Sequence, residues 1–174
     1  MCDDETLRRM RSTPKMTRRG FAMITASAAA AAGTTAYGQA KVVEKNVDVK
    51  TADGVSDSAL FYPEGQGTWP AVVVWPDIMG LRPVFREMGR RLASQGYVVL
   101  VVNPFYRSAK AADIIAANYN FGTPEGRAKL GGFRAAITDA ANDKDAVAYV
   151  AFLDSQPQTN KAKKVGVQGY CMGG

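Results

Sequence analysis

A chain of 174 residues, 47% hydrophobic and 22% charged, has enough apolar mass for one modest domain with a real core. The formal charge of +6 is front-loaded: six basic and three acidic residues fall in the first forty positions, and the other sixteen basic and thirteen acidic residues are scattered. That scatter argues against a nucleic-acid footprint, and two cysteines are too few for a disulfide framework.

The first segment reads as an address. Thr17-Arg18-Arg19-Gly20-Phe21 resembles the twin-arginine export motif, with paired arginines, a spacer and a phenylalanine ahead of a mildly apolar stretch. That stretch, roughly 21–32, is too short and too weakly hydrophobic to span a bilayer, so no stable membrane anchor is expected. Small residues at Ala36, Gly38 and Ala40 offer cleavage after Gly38 or Ala40. The competing reading, an alanine-rich amphipathic helix of the fold, fits the charged–apolar–small order less well. The expectation is a signal and N-terminal extension over 1–40, a partner in the twin-arginine machinery, and a bacterial periplasmic location. Met16 is a candidate true start. Removal of Cys2 with the signal leaves Cys171 alone.

Residues 41–50 alternate apolar and polar through Val43, Val47 and Val49, which predicts a half-buried strand. Thr51-Ala52-Asp53-Gly54 marks a turn, and Ser58 to Tyr62 returns toward Pro63 as the second arm of a hairpin. Ala71-Val72-Val73-Val74-Trp75 is a β-branched run of the kind buried on both faces. From Pro83 to Gln95 a helix places Val84, Phe85, Met88, Leu92 and Ala93 on one face, with Arg86, Arg90 and Arg91 around the other. Gly96 is its natural stop. Tyr97 to Val102 is a second apolar strand, so strand, helix and strand predict parallel pairing. From Ser108 to Gly132 the pattern loosens around Gly122, Pro124, Gly126, Gly131 and Gly132, and reads as loop with short helical turns. A helix from Thr138, its N-cap, to Ser155 turns Ala140, Val147, Val150, Ala151 and Leu153 inward.

The last strand, Lys164 to Gln168, runs into Gly169-Tyr170-Cys171-Met172-Gly173-Gly174. Gly-x-Cys-x-Gly after a buried strand is the pattern of a nucleophile elbow with a thiol in place of a hydroxyl. A nucleophile at the apex of a sharp strand-to-helix turn needs tiny neighbours at minus two and plus two, because strand and helix pass closely there. Taken alone, so short a pattern is as often an ordinary glycine-rich strand end. The preceding strand–helix alternation decides for the elbow. The fold class expected over 41–174 is α/β: an α/β-hydrolase-type, mostly parallel sheet with flanking helices, truncated at the elbow.

The sequence contains no histidine. A thiol needs a base or an electropositive setting to ionise at neutral pH. In the α/β-hydrolase order the acid and histidine follow the nucleophile, so both are expected downstream of Gly174.

From about Val47 onward the chain resembles the dienelactone hydrolase family, the thiol-using branch of the α/β-hydrolases. The carriers are Ala71–Gly80 (Ala-Val-Val-Val-Trp-Pro-Asp-Ile-Met-Gly), Arg91–Arg107 and the Gly-Tyr-Cys-Met-Gly-Gly string. The resemblance implies that Cys171 is the nucleophile and that Asp77 matches an acid that hydrogen-bonds the resting thiol. The family more typically has glutamate there, one methylene longer. It further implies that the backbone N–H groups of Ile78 and Met172 form the oxyanion hole, and that Arg107 holds a substrate carboxylate. The local Asn-Pro-Phe-Tyr-Arg departs from the family's usual Pro-Asp-Leu-Tyr.

The reaction implied is hydrolysis of a small-molecule ester or lactone through a Cys171 thioester, with no cofactor and no metal. A chain lacking the downstream Asp and His would itself be inactive. The alternative is a non-catalytic remnant of such a hydrolase, marginally folded and prone to aggregate. A redox-sensing thiol would usually need a resolving cysteine, which the mature chain lacks.

Overall fold

The computed structural model describes residues 40–174. The twin-arginine motif and the apolar stretch behind it lie outside the described residues. Five strands build one mixed sheet in the order β1-β2-β4-β3-β5. β1 (Val42–Thr51) and β2 (Gly54–Pro63) form the hairpin, paired antiparallel from Val42 opposite Pro63 to Thr51 opposite Gly54. Gly54 takes a φ of 144°, a conformation open to glycine and strained for other residues. β2 is antiparallel to β4 (Val98–Val101), and β4, β3 (Ala71–Trp75) and β5 (Gly166–Gly169) are mutually parallel.

Four helices flank this sheet among the described residues: α1 (Pro83–Ser94), α2 (Ala111–Ala117), α3 (Pro124–Ala135) and α4 (Asp139–Ser155). Strand alternation sorts the core into two layers. Leu60, Val73, Val98 and Leu100 face α4 and pack on Tyr149 and Leu153. Phe61, Val74, Val99 and Val101 face α1 and pack on Phe85 and Ala93. Each such side chain removed from water contributes about 1.5–3 kcal/mol, so these two faces hold the sheet. On α1, Arg86 and Arg90 both reach Glu44 on the edge strand β1, at 2.7 Å each. Partly exposed pairs of this kind stabilise little, about 0–1 kcal/mol, but they place charge along a sheet edge.

Three details depart from the expectation. The stretch expected to be loop contains two helices, α2 and α3. Thr123 Oγ1 accepts the Gly126 N–H at 3.1 Å and Pro124 opens α3, a strong start that the later glycines obscure. Leu130 and Phe133 then bury the inner face. On α4 the buried residues are Ala141, Asp145, Tyr149 and Leu153, an i, i+4 series, whereas Val147 is 71% exposed. A carboxylate, Asp145, occupies the middle of that inward stripe, so apolar residues alone point to the wrong face. On α1 Val84 turns outward, and Gly89 takes the central contact because a Cβ there would stand 2.6 Å from the Phe61 ring.

Candidate active site

The elbow is built by backbone pairing. β5 runs beside β3 with Trp75 opposite Gly169, and the register continues one step as the Tyr170 N–H donates to the Trp75 carbonyl at 3.2 Å. The chain then reverses into a single 3-10 turn, Cys171–Gly173, closed by the Gly173 N–H on the Tyr170 carbonyl (2.9 Å) and the Gly174 N–H on the Cys171 carbonyl (3.1 Å). Cys171 sits at the apex with a φ of +53°. For a non-glycine residue outside local hydrogen-bonding types this left-handed conformation costs about 1–3 kcal/mol, and such strain concentrates at functional positions.

The flanking glycines are dictated by space. A Cβ on Gly169 would run into the Gly173 carbonyl, and one on Gly173 would stand 2.5 Å from the Trp75 carbonyl oxygen and 2.7 Å from that of Pro76. The thiol itself is exposed.

The loop after β3 lies against the same core as the elbow. Ile78, Met79 and Met172 all pack on a third cluster made by Phe105, Ile114, Leu130, Phe133 and Ile137. Gly80, with a φ of +72°, closes the loop by donating its N–H to the Asp77 carbonyl at 2.9 Å, and its bare Cα lets the Phe105 ring come close. Among the described residues, neither the Ile78 N–H nor the Met172 N–H donates a hydrogen bond. An acyl-transfer oxyanion hole requires backbone donors that are not already committed to a protein acceptor.

Asp77 is otherwise engaged than expected. Both its oxygens bind Arg82, Oδ1 to Nη1 at 2.6 Å and Oδ2 to Nη2 at 2.9 Å, and Oδ1 also accepts the Met79 N–H at 2.9 Å. Among the described residues no hydrogen bond joins this carboxylate to Cys171. Arg82 is the site residue that the sequence did not single out. Its one signal is a carboxylate and an arginine five positions apart across a glycine turn, a spacing that also occurs on any solvated loop.

Arg107 is placed in a different assembly from the one expected. Its Nη1 and Nη2 grip Asp145 at 2.8 and 2.9 Å, while Nε and Nη2 donate to Asp53 in the hairpin turn at 3.1 and 2.7 Å. Tyr106 adds its hydroxyl to Asp145 at 2.7 Å and receives that of Thr51 at 2.7 Å. The Asp145 bonds raise the guanidinium's affinity for its proton further, and Arg107 in turn holds Asp53 below the usual carboxylate range. Burial pushes the Tyr106 phenol up to about 12. Four of the guanidinium's five N–H donors are thus taken by two carboxylates, which leaves no fork for a substrate carboxylate. It is a strut joining the hairpin, the loop after β4 and α4.

Hollows lie beside the elbow and beyond the loop after β3. One, of about 230 Å³, is lined by Trp75, Val167, Met172 and Gly173 together with Arg134 and Asn142. The other, of about 170 Å³, lies beyond the β3 loop between Met79, Arg82, Ile114, Ile115 and Tyr119.

A mixed sheet in this strand order, ending in a strained residue between two obligatory glycines, defines an α/β-hydrolase. Residues 57–174 match the "Dienelactone hydrolase family" profile, which covers more than half of the chain, and the protein belongs to that family. A relative in Synechocystis sp. named for carboxymethylenebutenolidase is 29% identical over 115 residues, 66% of this chain and 44% of its own. Cutinase 2 of Thermobifida cellulosilytica is 26% identical over 137 residues, 79% of this chain and 44% of its own. A Klebsiella pneumoniae crystal structure titled for dienelactone hydrolase superposes with a TM-score of 0.63 at 18% identity, over 76% of this chain and 51% of that one. The chain thus spans about half the length of the relatives it matches.

Proposed function

We propose that this chain carries the nucleophile half of an active site that cleaves a small ester or lactone through a thioester. The Cys171 sulfur attacks the carbonyl carbon, and the carbonyl electron pair moves onto oxygen, where the Ile78 and Met172 N–H groups receive it. Collapse of that intermediate breaks the C–O bond to the alcohol oxygen, which takes up the proton given up by the thiol and, in a lactone, stays tethered to the acyl group. Water then adds to the thioester, releasing the carboxylic acid and restoring the thiol. The observation that carries this reading is the exposed Cys171 at φ +53°, with no room for a side chain at either flanking glycine. Each oxyanion donor in such a site lowers the barrier by about 3 kcal/mol.

The acid and the base belong, on this proposal, to residues outside these 174, which contain no histidine. The spans shared with its relatives favour that division, and the 174-residue chain alone is expected to lack turnover. Twin-arginine export to the periplasm is proposed on the Thr17–Phe21 motif; replacing both arginines by lysine should keep the protein in the cytoplasmic fraction. Esterase assay of a Cys171→Ala variant of the complete enzyme tests the chemistry. Loss of nearly all turnover is expected, and full activity would end the proposal.

A further inference from the structure

We propose that Arg82 is a positioning residue of the oxyanion hole: it locks Asp77 as a brace for the loop that presents the Ile78 N–H. The inference rests on the reading of Cys171 as a nucleophile flanked by the Ile78 and Met172 amides.

The geometry is two-sided. Toward the loop, the guanidinium closes a fork on Asp77 at 2.6 and 2.9 Å, and Nη1 also reaches the Gly80 carbonyl at 3.4 Å. Asp77 passes that restraint on by accepting the Met79 N–H at 2.9 Å. The peptide unit between Ile78 and its neighbours is therefore pinned from Asp77, Met79 and Gly80, and the Ile78 N–H, itself without an acceptor among the described residues, sits inside this frame. Toward the elbow, the guanidinium lies over the Phe85 ring at 5.0 Å, and Phe85 meets the Tyr170 ring edge-on at 5.6 Å. Tyr170 is bonded directly to Cys171. One side chain thus links the loop that offers the first oxyanion donor to the residue preceding the nucleophile.

One feature separates this brace from the Arg86–Glu44 pair, whose side chains are exposed to a similar degree. The Arg82–Asp77 contact is bidentate, which fixes orientation as well as distance. Lysine, a point charge, cannot reproduce the fork. Donors in an oxyanion hole act only when preorganised, and a misplacement of about 1 Å can cost roughly 100-fold in rate. The brace spends the Asp77 carboxylate on the loop and leaves the thiol to draw its base from elsewhere.

Hydrogen exchange of the intact chain reads the brace without relying on turnover. Arg82→Gln should speed exchange of the Met79 and Gly80 amides, both hydrogen-bonded to Asp77, at least about tenfold while β3 and β4 amides keep their rates. Unchanged exchange at Met79 and Gly80, or a uniform rise across the sheet, would overturn the proposal. In the complete enzyme, Arg82→Gln should lower kcat about 10- to 100-fold with KM within about twofold, the mark of an interaction realised in the transition state. Arg82→Lys should fall between the variant and the parent, and Asp77→Asn combined with Arg82→Gln should be no worse than the more severe single change. Additive single effects would overturn it. A variant that fails to fold is replaced in each comparison by Arg82→Lys. A Cys171→Ala enzyme that keeps its activity sinks the nucleophile reading, whereas the exchange result still decides the brace.

Discussion

Two arginines follow the two central parallel strands: Arg82 after β3 and Arg107 after β4. Each closes a bidentate pair with a carboxylate, yet their surroundings differ. Arg82 holds the loop after β3 and remains partly open to solvent. Arg107 is 13% exposed, grips a carboxylate that is 2% exposed, and joins three elements remote in sequence. The comparison teaches that an arginine's availability for substrate is decided by what already saturates it and by which loop it restrains. Position after a strand does not settle it.

That contrast breaks most visibly at Arg107. Arg107→Ala strands the Asp145 carboxylate in the core, and removal of one partner from such a buried pair costs about 3–5 kcal/mol. Denaturant unfolding of the chain should show a loss of that size. A variant with unchanged stability but impaired substrate binding would return Arg107 to the substrate role. Next come the elbow glycines. Gly169→Ala or Gly173→Ala must displace the apex against backbone carbonyls, so turnover in the complete enzyme should fall about 100-fold. Retained turnover would show that the spacing around Cys171 is not mechanistic.

A smaller effect tests the layer beneath. Gly89→Ala pushes a methyl toward Phe61 and should cost about 1–3 kcal/mol of stability, read by thermal unfolding, while leaving KM alone. The smallest concerns Tyr106. Its phenol is held neutral in the fold, up to about 12, against about 10 when unfolded. The folded state therefore binds the proton more tightly. Its stabilisation is complete below pH ~10 and drains away as pH rises toward about 12. Tyr106→Phe should flatten that alkaline loss, although it also costs about 1 kcal/mol at neutral pH through the lost bond to Asp145. An alkaline profile identical to the parent's would mean that the cluster around Arg107 does not hold the phenol.

The same physics explains what the sequence disclosed. β3 and β4 were legible because unbroken β-branched runs have few uses outside a buried strand. The elbow was legible because its glycines answer to backbone collisions that leave no alternative residue. α3 was obscured by its glycines, although Thr123 and Pro124 announce its start. The inward face of α4 was obscured because its middle position is Asp145, satisfied only by Arg107 and Tyr106 from another loop. The Arg82 brace was silent for a related reason. Ion pairs across a turn carry no periodicity, and the fork becomes visible only when the loop is folded.

The central claim is that a thiol at a strained strand end attacks carbonyls. Its most direct test is acid quench of the complete enzyme during ester turnover, followed by peptide mass analysis. The account predicts the substrate's acyl mass on the peptide containing Cys171, absent once turnover is complete. Steady turnover with that peptide unmodified at every quench time would contradict it.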